Sequence, residues 1–405
     1  MVNTEYYRGG AAQIARKLHD ALNATPEHQS CFTYGKGSKA NSREAIRFAW
    51  QPEVYLHAFL TRATGLQGYG TWLSTKRLIK FIIREKLDII HLHNLHGYYL
   101  DLRFIKLISK LNIPVVWTLH DGWPLTGRCA YLFECDRWKT GCGSCPNLPW
   151  YPKTYLDTSA LMWKRKKEHF TQGWNPVIVC PSKWLADRVK ESYLKKYDIV
   201  VIPNAVDTKI FKPRNKDSVR KKLGISSREK VILFVASDLN DERKGTRFFL
   251  KALKFIKDKD ILVLTMGKKI NFPEEAKASI SVRQLGYIID KEIMSDTYNI
   301  ADIFCITSLD EVFGLTITES MSCGIPVVGF NVGGIPEQVT EDCGIMVEPK
   351  DVNALAKAIE KLLNDEKMKK NFSENCRKRV LQNYTIDKFT DSYIKVYNKI
   401  LRGIK

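Results

Sequence analysis

Asp302-Ile-Phe-Cys-Ile-Thr-Ser308, then Glu311-Val-Phe-Gly-Leu-Thr-Ile-Thr-Glu319, then Ser-Met-Ser-Cys-Gly324-Ile-Pro326-Val-Val, is the stretch that decides how this chain folds. Its first run is short, apolar and rich in β-formers, which marks a buried parallel strand. Residues 315–323 have a helical pattern, and Gly324 and Pro326 stop it. Pro326–Phe330 opens the next strand. Glu311 therefore falls on the loop after a strand, with Glu319 further along, inside the helix. The turn through Phe313, Gly314, Leu315 and Thr316 exposes the N–H groups that open that helix. In doubly wound sheets ligands bind at the carboxyl ends of the strands, and helix N-termini attract phosphate. Free N–H groups for a diphosphate, flanked by two carboxylates for sugar hydroxyls, describe a nucleotide-sugar site. Two surface glutamates on an ordinary βαβ unit would share the spacing, but not the strand, Phe-Gly turn, helix and Gly-x-Pro around it.

Working outward, strand-like runs alternate with helical patterns along the whole chain, which predicts an α/β protein with parallel sheets. The first half offers strands at Cys31–Gly35, Leu87–His93, Ile113–Leu119, Pro176–Pro181 and Asp198–Pro203, with helices such as Gly10–Asn23, Thr71–Lys86 and Lys183–Lys195. The second half offers strands at Lys230–Ser237, Asp260–Gly267, Asp302–Ser308, Pro326–Phe330 and Gly344–Val347, and helices such as Gly245–Ile256, Ile289–Ile300 and Val352–Leu363. A chain of 405 residues with 44% hydrophobic content supports two cores. The rhythm breaks and restarts between Pro203 and Pro213, which places the domain boundary there. Gly9-Gly10 before the first helix reads as a phosphate loop. Only Met1-Val2-Asn3 precedes the loop Thr4–Arg8, so the first strand is expected to be a stub or to begin upstream.

The Glu-x7-Glu block with its Phe-Gly and trailing Cys-Gly-Ile-Pro-Val-Val resembles the retaining glycosyltransferases of family four. That resemblance implies the GT-B fold: two Rossmann-like doubly wound domains facing across a cleft. It implies an acceptor-side domain over 1–203, a linker over 204–213, a nucleotide-sugar domain over 214–384 and a helix over 385–405 that crosses back to the first domain. Pro203-Asn-Ala-Val-Asp207 resembles the family linker, with Ala205 where Gly is usual. Lys244-Gly245 matches a phosphate-binding pair, but the family's preceding Arg falls on Asp238 or Leu239, which leaves Arg243 to supply the charge. His120 matches a histidine that faces the transferred sugar. His93, Asn94, His96 and Asp121 are candidates for the acceptor pocket, and His91 for a structural role. The phrase His120-Asp-Gly-Trp-Pro-Leu-Thr-Gly-Arg-Cys129 resembles a bacterial subgroup linked to colanic-acid-type surface polysaccharides.

The same resemblance implies a mechanism in which the departing diphosphate accepts the acceptor's proton on the same face. Glu311 then orients a sugar hydroxyl and Glu319 meets the ribose. Lys244 and the N–H groups around Gly9, Gly10, Gly314 and Leu315 stabilise phosphate charge, and domain closure excludes water. Glu311→Ala is expected on this reading to leave the fold intact. No Asp-x-Asp metal clamp is evident, so no cofactor is expected for catalysis. Cys129, Cys135, Cys142 and Cys145 have spacing that fits a structural zinc, with unligated thiols or an iron–sulfur or redox role as alternatives. The other six cysteines read as core fillers.

A net charge of +20 from 64 basic and 44 acidic residues calls for an anionic partner. Lys164–Lys167, Arg220–Lys222 and Arg377–Arg379 read as basic helical surface. A solvated surface and docking on the anionic inner face of the cell membrane are the two accounts. No run nears the roughly 18 apolar residues of a membrane span, and the N-terminus lacks a signal architecture. A cytoplasmic, peripherally membrane-associated enzyme with reduced cysteines is therefore expected. Its partners would be a UDP- or GDP-sugar donor and a saccharide or polyprenyl-diphosphate-linked saccharide acceptor. Rival readings are a GT-B nucleotide-sugar 2-epimerase and, remotely, a zinc-dependent nucleic-acid-binding protein. The latter lacks any nucleic-acid-recognition signature, so no nucleic-acid partner is expected.

Overall fold

A computed structural model of the protein describes residues 1–258, 260–270 and 280–403. The chain divides into two compact units, Met1–Pro203 with Asp387–Lys405, and Asn204–Ile386. Each is built on one wholly parallel sheet.

In the first unit the strands are β1 (Val2–Glu5), β2 (Phe32–Lys36), β3 (Ala45–Arg47), β4 (Ile90–Leu92), β5 (Val115–Thr118), β6 (Val177–Cys180) and β7 (Ile199–Val201), ordered β3-β2-β1-β4-β5-β6-β7. In the second they are β8 (Lys230–Asp238), β9 (Ile261–Lys268), β10 (Ser281–Gly286), β11 (Ile303–Ile306), β12 (Val327–Phe330) and β13 (Gly344–Val347), ordered β10-β9-β8-β11-β12-β13. Renumbered from its own start, the second order is 3-2-1-4-5-6, that of a dinucleotide-binding sheet. The order reverses between β1 and β4 in one unit and between β8 and β11 in the other. Those switch points are where a crevice opens past the strand ends.

The central strands are apolar on both faces because helices cover both. All four residues of β5, β11 and β12 are buried. β1 is a short strand, pairing Val2 with Thr33 on one side and with Leu92 on the other. The two strands absent from the expected set, β3 and β10, are each at one edge of a sheet and have a single buried side chain between them. The helix expected over Lys183–Lys195 ends at Lys190. The Ser192 hydroxyl donates to the Val189 carbonyl and accepts from the Leu194 N–H, which turns the chain instead.

Part of the expected basic surface is interior. Arg220 is buried, donating to the Ile300 carbonyl and to Asp302 at 2.8 Å. Asp302 also accepts from the Val231 N–H, so this ion pair ties the base of β11 to β8. Arg377 donates to the carbonyls of Phe211 and Ser322. Lys166 is fully buried, with its ammonium over the Trp123 ring and on the carbonyls of Trp123 and Thr126. Desolvation alone would leave such cations unfavourable, and carbonyl oxygens offset it. Among the described residues no helix is long and apolar enough to cross a membrane.

Candidate functional site

In the second unit the loops after β8 and β11 meet at the switch point. Asp241 caps the turn Glu242–Lys244 by accepting from the Arg243 N–H. Gly245 then takes a left-handed φ of +66°, and a Cβ there would stand 2.0 Å from the Thr307 carbonyl oxygen. Only glycine allows this approach. It brings Lys244 and Arg243 beside the end of β11, where the Thr307 hydroxyl bridges the Lys244 and Gly245 carbonyls. Leu309 N–H donates to the Arg243 carbonyl at 2.7 Å.

Glu311 closes this corner. Its carboxylate accepts from Lys244 Nζ at 2.7 Å and Arg243 Nη1 at 3.3 Å, with the Ser308 hydroxyl at 3.5 Å. Burial, the largest influence, pushes the Glu311 carboxyl up, but Lys244 and Arg243 together reverse this and hold it below the ordinary range. Burial draws the Lys244 ammonium down against the pull of Glu311. Glu311, expected to serve a sugar hydroxyl and to be dispensable for the fold, also anchors two cations within the protein.

The turn after Glu311 differs from expectation in one respect. The Gly314 N–H donates to the buried Gln338 side chain at 2.8 Å, and the Gln338 amide donates back to the Gly314 carbonyl at 3.0 Å. Gly314 thus has no N–H to offer a phosphate, and the helix Leu315–Ser322 presents those of Leu315 and Thr316, which lack intrahelical acceptors. Phe313 is core, edge-on to Tyr384. Glu319 is buried and accepts from the Tyr298 hydroxyl at 2.9 Å. Gln338, Tyr298 and Ser308 belong to the site but to no motif. The Gly333-Gly-Ile-Pro336 stretch before Gln338 was a helix-start signal pointing toward it.

In the first unit Gly9, at φ +91° with open space where a Cβ would be, caps the helix Gly10–Asn23. That helix follows β1, and across the switch point β4 delivers the histidines. His91 stacks on His93 at 4.2 Å, and His93 on His120 at 5.3 Å, with His93 Nδ1 3.0 Å from His120 Nε2. His91 is structural, held by Tyr397 and Thr118. His96 meets Asp121 at 2.7 Å and the Tyr151 hydroxyl at 3.2 Å, and Asp121 accepts from the Trp123 N–H. Asn94 uses its carbonyl to accept from Tyr99 and Thr4.

Burial keeps His120 neutral, drawing it down to about 4, and takes His91 and His93 well below the usual value. The same cause brings His19 and His57 to about 4. A histidine that titrates near 6.5 unfolded takes up its proton on unfolding across this window. Stability present above pH 6.5 is therefore lost as pH falls toward 4. From pH 7 to pH 5, His19 and His57 together should cost the first unit about 4 kcal/mol. All eight histidines and all nine tryptophans lie in that unit. Denaturant unfolding followed by tryptophan fluorescence therefore reads it alone, and an unchanged midpoint at pH 5 would contradict the burial.

The cysteine loop is less regular than its spacing. Cys142 Sγ accepts from the Gly127 N–H at 3.1 Å, and burial pushes its thiol up to about 12. Buried Arg128 spans the carbonyls of Asn147, Leu148, Trp150 and Pro152 and reaches Cys145 Sγ at 4.0 Å. Among the described residues no three His, Cys, Asp or Glu side chains are grouped to hold a metal ion. The zinc expectation at Cys129, Cys135, Cys142 and Cys145 rests on spacing alone.

Family models match nearly the whole chain: glycosyltransferase family 4 over residues 8–210 and glycosyl transferases group 1 over residues 215–379. The chain is 27% identical over 374 residues to the putative colanic acid biosynthesis glycosyl transferase WcaC of Escherichia coli K12, covering 86% of this chain and 87% of that one. It matches the solved structure of sucrose-phosphate synthase from Thermosynechococcus elongatus at 19% identity and a TM-score of 0.72, over 99% of this chain and 98% of the other. Anabaena HepE, solved with UDP and glucose, matches at 14% identity and a TM-score of 0.68 over 98% of both. These two structures establish fold alone. With a Rossmann sheet in each half and a Lys-Glu pair at the second switch point, the chain belongs to glycosyltransferase family 4, of GT-B fold.

Proposed function

We propose that this glycosyltransferase moves a sugar, with retention of configuration, from a UDP- or GDP-sugar to a growing, lipid-linked surface-polysaccharide acceptor. The observation that carries the reading is the Lys244–Glu311 pair, 2.7 Å apart at the switch point of a 3-2-1-4-5-6 sheet. An ammonium and a carboxylate that close can take the donor's diphosphate and a hydroxyl of its sugar. Lys244, Arg243 and the N–H groups of Leu315 and Thr316 neutralise charge as the sugar–phosphate bond breaks. The leaving diphosphate takes the proton of the acceptor hydroxyl while that oxygen bonds to the sugar. Glu319 beside Tyr298 receives the ribose. His120, neutral and oriented by His93, faces the transferred sugar. Asn94, His96 and Asp121 border the acceptor. The colanic-acid assignment of WcaC supports a polysaccharide acceptor. The UDP in HepE supports a nucleotide-sugar donor.

The reading places the enzyme in the cytoplasm on the inner face of the membrane, with no cofactor taking part in transfer. Structural zinc at the four thiols belongs to the proposal as a separate element, which zinc content after reducing, chelator-free purification decides. Proton NMR of the anomeric signals tests the reaction itself. A product with the donor's anomeric configuration, formed only with acceptor present, is expected. An inverted product contradicts retention, and release of an epimer without acceptor favours the 2-epimerase.

A further inference from the structure

The helix Gln51–Thr64 in the first unit is inside out. Its buried residues are Glu53, Val54, His57 and Thr61, three of them polar. Its outward residues include Tyr55, Leu56 and Phe59, at 73%, 51% and 67% exposure. The buried face is satisfied: Glu53 accepts from the Leu73 and Ser74 N–H groups, His57 Nε2 from the Gly68 N–H, and Thr61 donates to the Leu66 carbonyl. An amphipathic helix in water turns its apolar side to the core. This one keeps it out, and its neighbours extend the patch. Glu53 fixes the start of the helix Trp72–Glu85, where Leu73 is exposed. The Tyr155 N–H donates to the Arg62 carbonyl, which brings exposed Tyr155 and Leu156 to the other end.

The rim of this patch is basic. Arg62, Lys76, Arg77 and Lys80 are all exposed. Between Arg47 and Arg84 the only acid is Glu53, which is buried. Aromatic and aliphatic side chains bordered by these cations, with one exposed acid, Asp157, beside Leu156, match the interface of an anionic bilayer, where rings sit at headgroup level and each nearby Lys or Arg adds attraction. The patch also borders the acceptor residues. Loop 65–71 touches His57 beneath the helix through Gly68, and its Gln67 accepts from Trp123 Nε1 at 2.6 Å. Tyr151, four residues before Tyr155, meets His96.

We propose that the face carrying Tyr55, Leu56, Phe59, Leu73, Tyr155 and Leu156 docks on an anionic lipid bilayer and so brings a lipid-linked acceptor to His96 and Asp121. This rests on the proposed transfer to a lipid-linked acceptor, but its test does not. The full chain is sedimented with vesicles of phosphatidylcholine containing roughly one-third phosphatidylglycerol, at about 0.15 M salt. The wild-type chain is expected to bind these vesicles and to bind pure phosphatidylcholine at least about tenfold less. Y55S/L56S/F59S and K76E/R77E/K80E should each lose about a hundredfold in partitioning. Both alter exposed side chains, and an unchanged tryptophan-monitored melt confirms the fold. Donor-induced stabilisation, carried by the second unit, should persist in both. Wild-type vesicle binding in either variant overturns the proposal, as does equal binding to neutral vesicles. A solution dimer broken by Y55S/L56S/F59S, with no vesicle binding, would make the face a contact between copies instead. Failure of the wild type to bind any nucleotide sugar would sink the transferase reading and leave the vesicle result standing.

Discussion

Glu311→Gln is expected to lower sugar transfer by about two to three orders of magnitude. Glutamine keeps the shape and removes the charge. The carboxylate that holds Lys244 at 2.7 Å and Arg243 at 3.3 Å becomes a neutral amide, so Lys244 loses the carboxylate it touches while Arg243 keeps Asp241 at 3.5 Å. Their proposed placement against the donor phosphates and the proposed acceptor for a sugar hydroxyl are lost together. The same contacts add a stability effect that the sequence did not foretell. Losing a mostly buried, charge-assisted pair should cost about 1–3 kcal/mol, and Glu311→Ala more, because it leaves a gap as well. Initial rates at saturating donor and acceptor, with a melting curve for each variant, check both. A near-normal rate in Glu311→Gln would remove Glu311 from the site.

Lys244→Ala should be nearly as damaging, but in a different parameter. The ammonium is a point charge at the turn that Gly245 permits. In the proposed mechanism it acts both on the bound diphosphate and on the charge that grows as the diphosphate leaves. A fall of about a hundredfold in kcat with a rise in donor KM is therefore expected. Arg243 shares the contact with Glu311, so some binding should survive. Steady-state kinetics with varied donor measure this split. If KM rises while kcat is unchanged, Lys244 binds the ground state only. If neither moves, the phosphates lie elsewhere.

The sheets were legible because their central strands are buried on both faces and stand out as apolar runs. β11 and β12 lie inside the expected runs Asp302–Ser308 and Pro326–Phe330, and Lys244 and Glu311 both follow strands as expected, but no local pattern announced their contact at 2.7 Å. Edge strands β3 and β10 were not legible, since β3 is three residues long with one buried side chain and β10 has none fully buried. Helix Gln51–Thr64 was hidden for the opposite reason: its buried face is polar, so hydrophobic period points away from the core. Gln338 and Tyr298 come from segments 24 and 21 residues from their partners. Only the fold could bring them in, and Gln338 is why Gly314 offers no N–H. Charge misled where it was read as surface: Arg220, Arg377 and Lys166 are tied into carbonyls and an ion pair that no local pattern announces.

The second unit is proposed to bind a nucleotide sugar at Lys244, Glu311 and Glu319. Calorimetric melting of the full chain against a panel of UDP- and GDP-sugars tests it most directly. A ligand at about a hundredfold over its Kd should stabilise the native state by about 2.7 kcal/mol. That raises the melting temperature of a unit this size by roughly 5–10 °C. At least one member of the panel should produce this shift, and Lys244→Ala should reduce it sharply. A panel in which no nucleotide sugar shifts the second unit, or one in which Lys244→Ala responds as the wild type does, would contradict the assignment.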